Sequence, residues 1–221
     1  MHEIKAIDIE TIPNMDMVQY LPEPEAAGNI KDPEKIAADI AKKKAEQISK
    51  MALSPMFGRI CCYSTATATV YEADAMYAIN DDEERRLIGR ILGHLRLSHD
   101  DYPALVGWNC HAFDLPFIYK RALILGVELH GGIQPLSRMV RRYSRVPVCD
   151  LMQELATWDS QAKVSLDVAA KCILGKSKLD HDFSQFPAMI ETNQGSKIAE
   201  YCLNDSKLTY ELYQVCKTYL W

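Results

Sequence analysis

The sequence AIDIET at residues 6–11 alternates apolar and acidic side chains. Alternation with a period of two predicts a β-strand, and on a strand Asp8 and Glu10 leave the same face. Two carboxylates side by side repel one another and raise each other's pKa. Because the strand is otherwise apolar, it tolerates this pair most easily when a cation lies over it. The pattern therefore predicts a first strand that ends in a candidate cation site.

The elements that follow predict a mixed α/β domain. Segments rich in β-branched residues predict two adjoining strands, and short apolar runs bounded by turn residues predict two more. We expect these four strands at 59–63, 65–71, 104–108 and 146–149, and helices from 81, from 115 to 125, from 165 to 175 and from 196 onwards. Three strands followed by strands that alternate with helices indicate a mixed central sheet flanked by helices. We expect a single domain over residues 1–221.

Residues 14 to about 54 interrupt this pattern with a change in composition. Pro22 and Pro24 exclude regular structure around them, since each removes a backbone donor and restricts the residue before it. Asp32 then provides an acidic cap, and Pro33 the first position, of a helix that extends to about Lys50. We predict an inserted, partly helical region here, which is either a surface feature or an element that binds substrate.

Composition excludes several classes of protein. Of the 221 residues, 48% are hydrophobic and 25% charged, so the chain can bury a core and is not disordered throughout. Seven cysteines without CxxC spacing favour reduced thiols over disulfides or a zinc site. With no apolar run of roughly 18 residues and no signal-peptide pattern, we expect a cytoplasmic protein without a membrane partner. The net charge of −5 disfavours nonspecific adhesion to nucleic acid but does not exclude an enzyme that acts on phosphodiesters.

A carboxylate interrupts the apolar stripe of the last predicted helix. Asp205 falls among stripe positions spaced three or four residues apart, which are Ile198, Cys202, Leu208, Leu212, Val215 and Tyr219. A bare carboxylate that faces a core is costly unless it is neutralised or paired. Tyr201 lies one turn earlier on the same flank, so its hydroxyl and the Asp205 carboxylate can face one space. The alternatives are that Asp205 pairs with a buried Lys or Arg, or that this part of the helix is exposed.

The sequence GWNCHAFD at residues 107–114 leaves a predicted buried strand and enters a predicted helix. Loops at the carboxyl ends of strands often carry functional residues. Asp114 at the helix start is therefore either a helix cap or part of a site. Asn109 is likewise either a turn residue or a contact to a ligand.

Taken in chain order, these three segments resemble the motifs of the DEDD exonuclease superfamily. Residues 6–11 resemble the first motif, D-x-E after apolar residues, and residues 109–114 match the second, N-x-x-x-F-D. Residues 201–205 match the third, Y-x-x-x-D, in the form of the tyrosine branch, since the histidine branch would have histidine at Glu200. The order and approximate separations resemble those of the exonuclease domain of family B DNA polymerases, over nearly the whole chain.

This resemblance implies an RNase H-like fold and a 3′-5′ exonuclease. It implies that two divalent ions, Mg²⁺ or Mn²⁺, are held by four carboxylates, which are Asp8, Glu10, Asp114 and Asp205. Tyr201 would orient the attacking water. Thr11, through its main chain, and Asn109 and Phe113, through polar and stacking contacts, would position the terminal nucleotides. Hard divalent cations prefer carboxylate oxygens, which agrees with this assignment.

Three functions stay open on these grounds. The first is a two-metal exonuclease that removes nucleotides from the 3′ end of single-stranded DNA, with DNA favoured over RNA, and serves a polymerase or repair complex in trans. The second is an exoribonuclease that trims RNA 3′ ends, and the third is a non-cleaving module of the same fold that binds nucleic acid or a polymerase. The basic residues Arg138, Arg141, Arg142 and Arg145 either follow the phosphate backbone or form a solvated face.

Overall fold

A five-stranded mixed sheet organises the computed structural model, which describes residues 4–96 and 103–220. The strands are β1 (Lys5–Pro13), β2 (Gly58–Ala66), β3 (Tyr71–Ala75), β4 (Leu105–Gly107) and β5 (Val148–Asp150), in the order β3-β2-β1-β4-β5. Strand β1 is antiparallel to β2 and parallel to β4, while β2–β3 is antiparallel and β4–β5 parallel. The predicted α/β fold with a mixed sheet is therefore confirmed.

Helices surround the sheet. Those in the described residues are α1 (Pro33–Met51), α2 (Asp81–His94), α3 (Asp114–Leu125), α4 (Leu136–Met139), α5 (Leu151–Leu155), α6 (Leu166–Leu174), α7 (Phe186–Glu191) and α8 (Gly195–Leu220). The sequence predicted the five long ones, and the short α4, α5 and α7 lack the length that makes periodicity visible. No helix in this part of the chain combines the length and apolar character needed to cross a bilayer.

Local signals in the sequence fix several helix ends. The Asp32 carboxylate accepts from two backbone N–H groups at the start of α1, and the Ser165 hydroxyl caps α6 in the same way. Gly126 and Gly175 end α3 and α6 with φ of 67° and 66°, a left-handed conformation that glycine adopts without strain. Residues 14–54 contain a 3-10 helix at Met15–Tyr20 and α1.

Strand β1 separates two parts of the core. Ile7, Ile9 and Ile12 pack in the cluster formed with α2 and α3, whereas Ile4 and Ala6 pack with residues of α6 and α8. Because side chains alternate along a strand, Asp8 and Glu10 continue the row of Ile4 and Ala6. The two carboxylates therefore lie on the face of the sheet that α8 covers.

The predicted strand at 65–71 is wrong. Strand β2 continues to Ala66, and residues 67–70 form the loop that leads into β3. The Thr67 hydroxyl accepts from the backbone N–H groups of Thr69 and Val70, at 3.3 and 3.0 Å. Such local bonds compete with strand pairing, and here they outweigh the β-branched pattern.

A buried ion pair joins α2 to α3. Glu84 and Arg121 are both buried, with Arg121 Nε and Nη2 donating to the two carboxylate oxygens at 2.7 and 2.6 Å. We expect Arg121→Met to lower the free energy of unfolding by about 3 kcal/mol, because it leaves the Glu84 charge under-compensated. Chemical denaturation measures this loss. Lys42→Met, which breaks only the exposed pair with Glu46, is the control, and equal losses in both variants would contradict the expectation.

Candidate active site

Four carboxylates from three elements form one cluster over the sheet. Asp8 and Glu10 come from β1, Asp114 is the first residue of α3, just beyond β4, and Asp205 lies in the middle of α8. Asp8 is half-buried, and the exposed fractions of the other three are 8%, 3% and 4% in chain order. Each carboxylate is therefore at least partly buried, in a space that it shares with other acids.

The pKa values show that these carboxylates act on one another. Burial and then the charges of Glu10, Asp114 and Asp205 raise the pKa of Asp8 well above its ordinary value. Burial and then the Asp205 charge raise the pKa of Glu10 to about 8. Burial raises the pKa of Asp114 to about 7, against the effect of its backbone hydrogen bonds. The structure therefore brings the four sequence-predicted acids into one electrostatic cluster.

Asp114 ties α3 to the first strand. Its Oδ1 accepts a hydrogen bond from the backbone N–H of Ile9, between Asp8 and Glu10, at 3.2 Å. The residue before the helix is Phe113, and no side-chain cap bond is formed at this end. The interpretation of Asp114 as a helix cap is therefore wrong, and its carboxylate belongs to the acidic cluster.

The two carboxylate oxygens of Asp205 have different surroundings. Oδ2 forms an ion pair with Nζ of Lys178, whereas Oδ1 is buried and has no hydrogen-bond partner among the described residues. The alternative in which Asp205 pairs with a basic side chain thus holds for one oxygen only. Burial opposes the charge on Lys178, but Asp205 beside it raises the pKa of Lys178 above the ordinary value. Sequence reasoning missed Lys178, because it lies in a loop after Gly175 with no periodic pattern around it.

Tyr201 sits beside this ion pair. Nζ of Lys178 lies 5.3 Å from the centre of the Tyr201 ring, and the rings of Phe183 and Phe186 pack edge-on against it at 5.4 and 6.1 Å. Burial, together with the Asp205 charge, raises the pKa of Tyr201 to about 12. The phenol therefore keeps its proton at neutral pH.

The thiol of Cys202 lies next to two of the carboxylates. The ligand atoms of Asp8, Glu10 and Cys202 all lie within 4.8 Å of one another, a tighter grouping than any that includes Asp114 or Asp205 among the described residues. Cys202 Sγ is 3.5 Å from Oδ2 of Asp8 and 3.2 Å from the Ser64 hydroxyl. Burial raises the pKa of Cys202 well above its ordinary value, so it contributes a neutral, weak donor.

The donor set fits hard divalent cations. Carboxylate oxygens predominate, and such ligands suit Mg²⁺ or Mn²⁺ better than softer metals. The unpartnered oxygen of Asp205 needs a cation or a donor, since a buried polar atom without a partner is costly. Burial is the first cause of the raised pKa values of Asp8, Glu10 and Asp114, and the charges of neighbouring acids add to it.

Among the described contacts, none of the three sequence-predicted substrate residues forms a hydrogen bond with the four carboxylates. The Thr11 hydroxyl donates to the Ala52 carbonyl at 2.7 Å. Asn109 adopts φ 61° and donates its backbone N–H to Asp150 at 3.1 Å. Phe113 is half-buried, with its ring 5.5 Å from that of Phe117.

A cavity of about 700 Å³ lies between the end of β1, the inserted region and the segment that begins at Phe183. One wall contains Thr11, the residue after Glu10, and another contains Phe183, whose ring contacts Tyr201. Met15, Ile48 and other side chains of the inserted region form a further part of the lining. The inserted region therefore shares a cavity with Thr11, the residue that follows Glu10.

Residues 53–220 match the model of a protein family described as predicted 3′-5′ exonucleases related to the exonuclease domain of PolB. The chain belongs to this family. The match begins after β1, so the assignment of Asp8 and Glu10 rests on the geometry of the cluster. Asp114 and Asp205, the other two acids of the cluster, lie within the residues of this exonuclease family member that the family model matches.

Archaeal DNA polymerases are among the proteins to which this exonuclease family member is similar. The chain is 27% identical over 150 residues to a DNA polymerase of Pyrococcus glycovorans, covering 64% of this chain and 19% of that protein. It is 29% identical over 119 residues to DNA polymerase 1 of Aeropyrum pernix, covering 50% and 12%. A family B DNA polymerase from Pyrobaculum calidifontis superposes with a TM-score of 0.61 at 15% identity, over 98% of this chain and 25% of that one. This likeness confirms the fold, and the chain spans a quarter or less of each relative.

Proposed function

We propose that this chain is a metal-dependent 3′-5′ exonuclease that hydrolyses phosphodiester bonds at the 3′ end of single-stranded DNA. The gathering of Asp8, Glu10, Asp114 and Asp205 from β1, α3 and α8 into one cluster is the observation that carries the proposal. Membership in a family of predicted PolB-like exonucleases supports the reaction, and similarity to archaeal DNA polymerases supports DNA as the substrate.

The four carboxylates would hold two divalent ions, Mg²⁺ or Mn²⁺. Ions at such a site supply charge that stabilises the phosphorane and the leaving oxygen, and they lower the pKa of the attacking water. The Ile9–Asp114 hydrogen bond and the Lys178–Asp205 ion pair hold two of the ligands in place. The chain thus fixes carboxylates from three elements relative to one another before substrate arrives.

Tyr201 and Lys178 act on the substrate side of the cluster. The neutral phenol of Tyr201 orients the attacking water without adding negative charge near an anionic phosphate. Lys178 adds a positive charge beside Tyr201 that offsets charge developing on the phosphate oxygens. Both groups keep their protons at neutral pH, because the pKa of each lies above its ordinary value.

Tyr201→Phe is expected to lower kcat roughly 100-fold, the scale of a positioned proton-handling group. The ring keeps its contacts with Phe183 and Phe186, so KM and the affinity for Mn²⁺ stay unchanged. Steady-state kinetics on a 5′-labelled oligonucleotide measure the effect. Tyr219→Phe, an exposed position on the same helix, is the control. Equal turnover in the two variants would remove Tyr201 from the mechanism.

The cavity lined by Thr11 and Phe183 would take the terminal nucleotides. Its volume of about 700 Å³ lies within the usual range of roughly 300–1,000 Å³ for ligand sites. Thr11 through its main chain, with Asn109 and Phe113, would align the strand, and Phe183 offers a ring that stacks with any base. Since the inserted region forms one wall, it favours a single strand over a duplex.

Incubation with 5′-labelled single-stranded DNA, duplex DNA and RNA tests the proposal. We expect a ladder shortened from the 3′ end on single-stranded DNA with Mg²⁺ or Mn²⁺, and none with EDTA. Faster shortening of RNA would replace the proposal with an exoribonuclease. Binding of DNA without any cleavage would replace it with a non-cleaving module.

A further inference from the structure

An aromatic and basic surface adjoins the loop that leads into Asp114. The Tyr143 ring is 68% exposed and lies 5.0 Å from the Trp158 ring, which in turn lies 6.2 Å from the His111 ring. The Arg142 guanidinium stands 5.0 Å over Tyr143, and a cavity of about 310 Å³ joins Lys163 to this group. We call these five residues, His111, Arg142, Tyr143, Trp158 and Lys163, the Trp158 patch.

The patch is positively charged within an acidic chain. Residues 138–163 contain five Lys or Arg and three Asp or Glu, whereas the whole chain has a net charge of −5. Of the three acids, Asp150 is buried and accepts three backbone hydrogen bonds, Glu154 accepts from Trp158 Nε1 at 3.2 Å and lies 3.6 Å from the Arg145 guanidinium, and Asp159 is exposed. Five basic residues against three acids leave this segment with a net charge of +2.

Backbone strain is concentrated in the same place. Five non-glycine residues in the described chain have positive φ, and all but Asn193 lie here, namely Asn109, Tyr143, Thr157 and Trp158. Branched and bulky residues rarely adopt this conformation, and it persists only where surrounding structure holds it. Tyr143, which is exposed, and Trp158, which is half-buried, are the two aromatic residues among them. Thr157 and Trp158 follow the end of α5, where the Trp158 N–H donates to the Gln153 carbonyl at 2.9 Å, so this helix end holds Trp158 in place beside Tyr143.

Asp150 joins the patch to the second motif. Its two oxygens accept from the backbone N–H groups of Asn109 and His111, at 3.1 and 3.0 Å. His111 is three residues before Asp114, so their Cα atoms are at most about 11 Å apart. The ring of His111 has a buried Nδ1 without a hydrogen-bond partner in the described part of the chain. A strand whose 3′ end reaches the carboxylates can therefore pass over the patch.

We propose that the Trp158 patch is a second binding site for the nucleic-acid strand, a few nucleotides upstream of the 3′ end. Bases stack on Trp158 and Tyr143, and Arg142 and Lys163 bind phosphates. Stacking tolerates any base, and basic contacts to phosphates weaken with salt. An acidic peptide would match the charge but would not use the Tyr143 and Trp158 rings for stacking. The direction of the strand rests on the proposed function.

Binding to the hydrolysis-deficient Asp114→Asn chain tests this inference without cleavage. Fluorescein-labelled (dT)12 and (dT)3 are titrated, and fluorescence anisotropy gives Kd. In that background we expect Trp158→Ala to weaken (dT)12 binding at least tenfold, Trp158→Phe to restore most of it, and neither to change (dT)3 binding. Arg142→Gln should reduce the dependence of log Kd on log salt. Tyr219→Ala, exposed elsewhere, is the control.

Three results would overturn the inference. The first is equal (dT)12 binding with and without Trp158, and the second is equal weakening of (dT)3 binding by Trp158→Ala. The third is a patch that hexaglutamate occupies and (dT)12 does not. Hydrolysis of (dT)3 by the parent chain with Mn²⁺ tests the proposed function separately. If the parent cleaves (dT)3 and the variants bind (dT)12 normally, this inference is contradicted and the proposed function still stands. A parent that cleaves neither oligonucleotide would sink the proposed function.

Discussion

Asp114→Asn is expected to slow hydrolysis of single-stranded DNA by about 1,000-fold or more while leaving the fold intact. The substitution removes one of the four charges that would hold divalent ions, and each such loss weakens both ion binding and stabilisation of the transition state. The amide oxygen can still accept the hydrogen bond from Ile9 N–H, so α3 stays attached to β1. Single-turnover kinetics at saturating Mn²⁺ measure the effect on the chemical step.

The same variant should be more stable than its parent in EDTA at pH 8. Burial raises the pKa of Asp114 to about 7 from its ordinary 3.8, so the metal-free fold bears an unfavourable charge there. We expect a gain of about 1–2 kcal/mol in the free energy of unfolding, reduced by the cost of burying an amide. Loss of activity with gain of stability distinguishes removal of a ligand from damage to the fold.

Asp32→Asn is the matched control, because the same exchange at an exposed helix cap keeps a side chain that can cap. It should change neither turnover nor stability measurably. If Asp114→Asn cleaves DNA at the parent rate, or if it loses stability in EDTA as well as activity, Asp114 is a structural residue.

The metal-free chain should become less stable as pH rises from about 4 to about 8. The folded pKa values of Asp8, Glu10, Asp114 and Asp205 are all raised, to about 8 for Glu10 and about 7 for Asp114. A raised folded pKa contributes stability that is complete below the unfolded pKa near 4 and is lost as pH passes the folded value. Thermal unfolding in EDTA across this range measures the decline.

Mg²⁺ or Mn²⁺ should reverse that decline at pH 8. An ion that binds only the folded state at 100 times its Kd adds about 2.7 kcal/mol. Surface acids such as Glu72, Asp81 and Glu83 have lowered pKa values and lose their contribution only in stronger acid, so they do not mask the effect. The double variant Glu10→Gln and Asp205→Asn should flatten the pH dependence. Stability that rises steadily from pH 5 to 8 in EDTA, and does not respond to Mn²⁺, would contradict the prediction.

The sequence was most informative where a residue breaks its local pattern. Asp8, Glu10 and Asp205 are acids in apolar surroundings, and the structure places them together because the strand and helix periods orient them to one face. The final turns of α8 show the limit of such reasoning. Val215 and Tyr219 are exposed while Tyr213 and Cys216 are buried, since the predicted stripe assumed a single straight contact along the whole helix.

Contacts between distant loops were beyond reach of the sequence. Lys178 meets Asp205 only because the segment after α6 folds back over α8, and no period or spacing records that path. The Trp158 patch depends likewise on residues brought together by loops, with backbone conformations that their side chains do not favour. The roles of Thr11, Asn109 and Phe113 stay predictions, since their described contacts are to other parts of the chain.

Anomalous diffraction from crystals soaked in Mn²⁺ tests most directly whether the four acids form a metal centre. We predict two peaks, each within about 2.5 Å of carboxylate oxygens drawn from Asp8, Glu10, Asp114 and Asp205, with the orphan oxygen of Asp205 as one ligand. Manganese density elsewhere with none at this cluster, or carboxylates turned away from a common centre, would contradict the assignment.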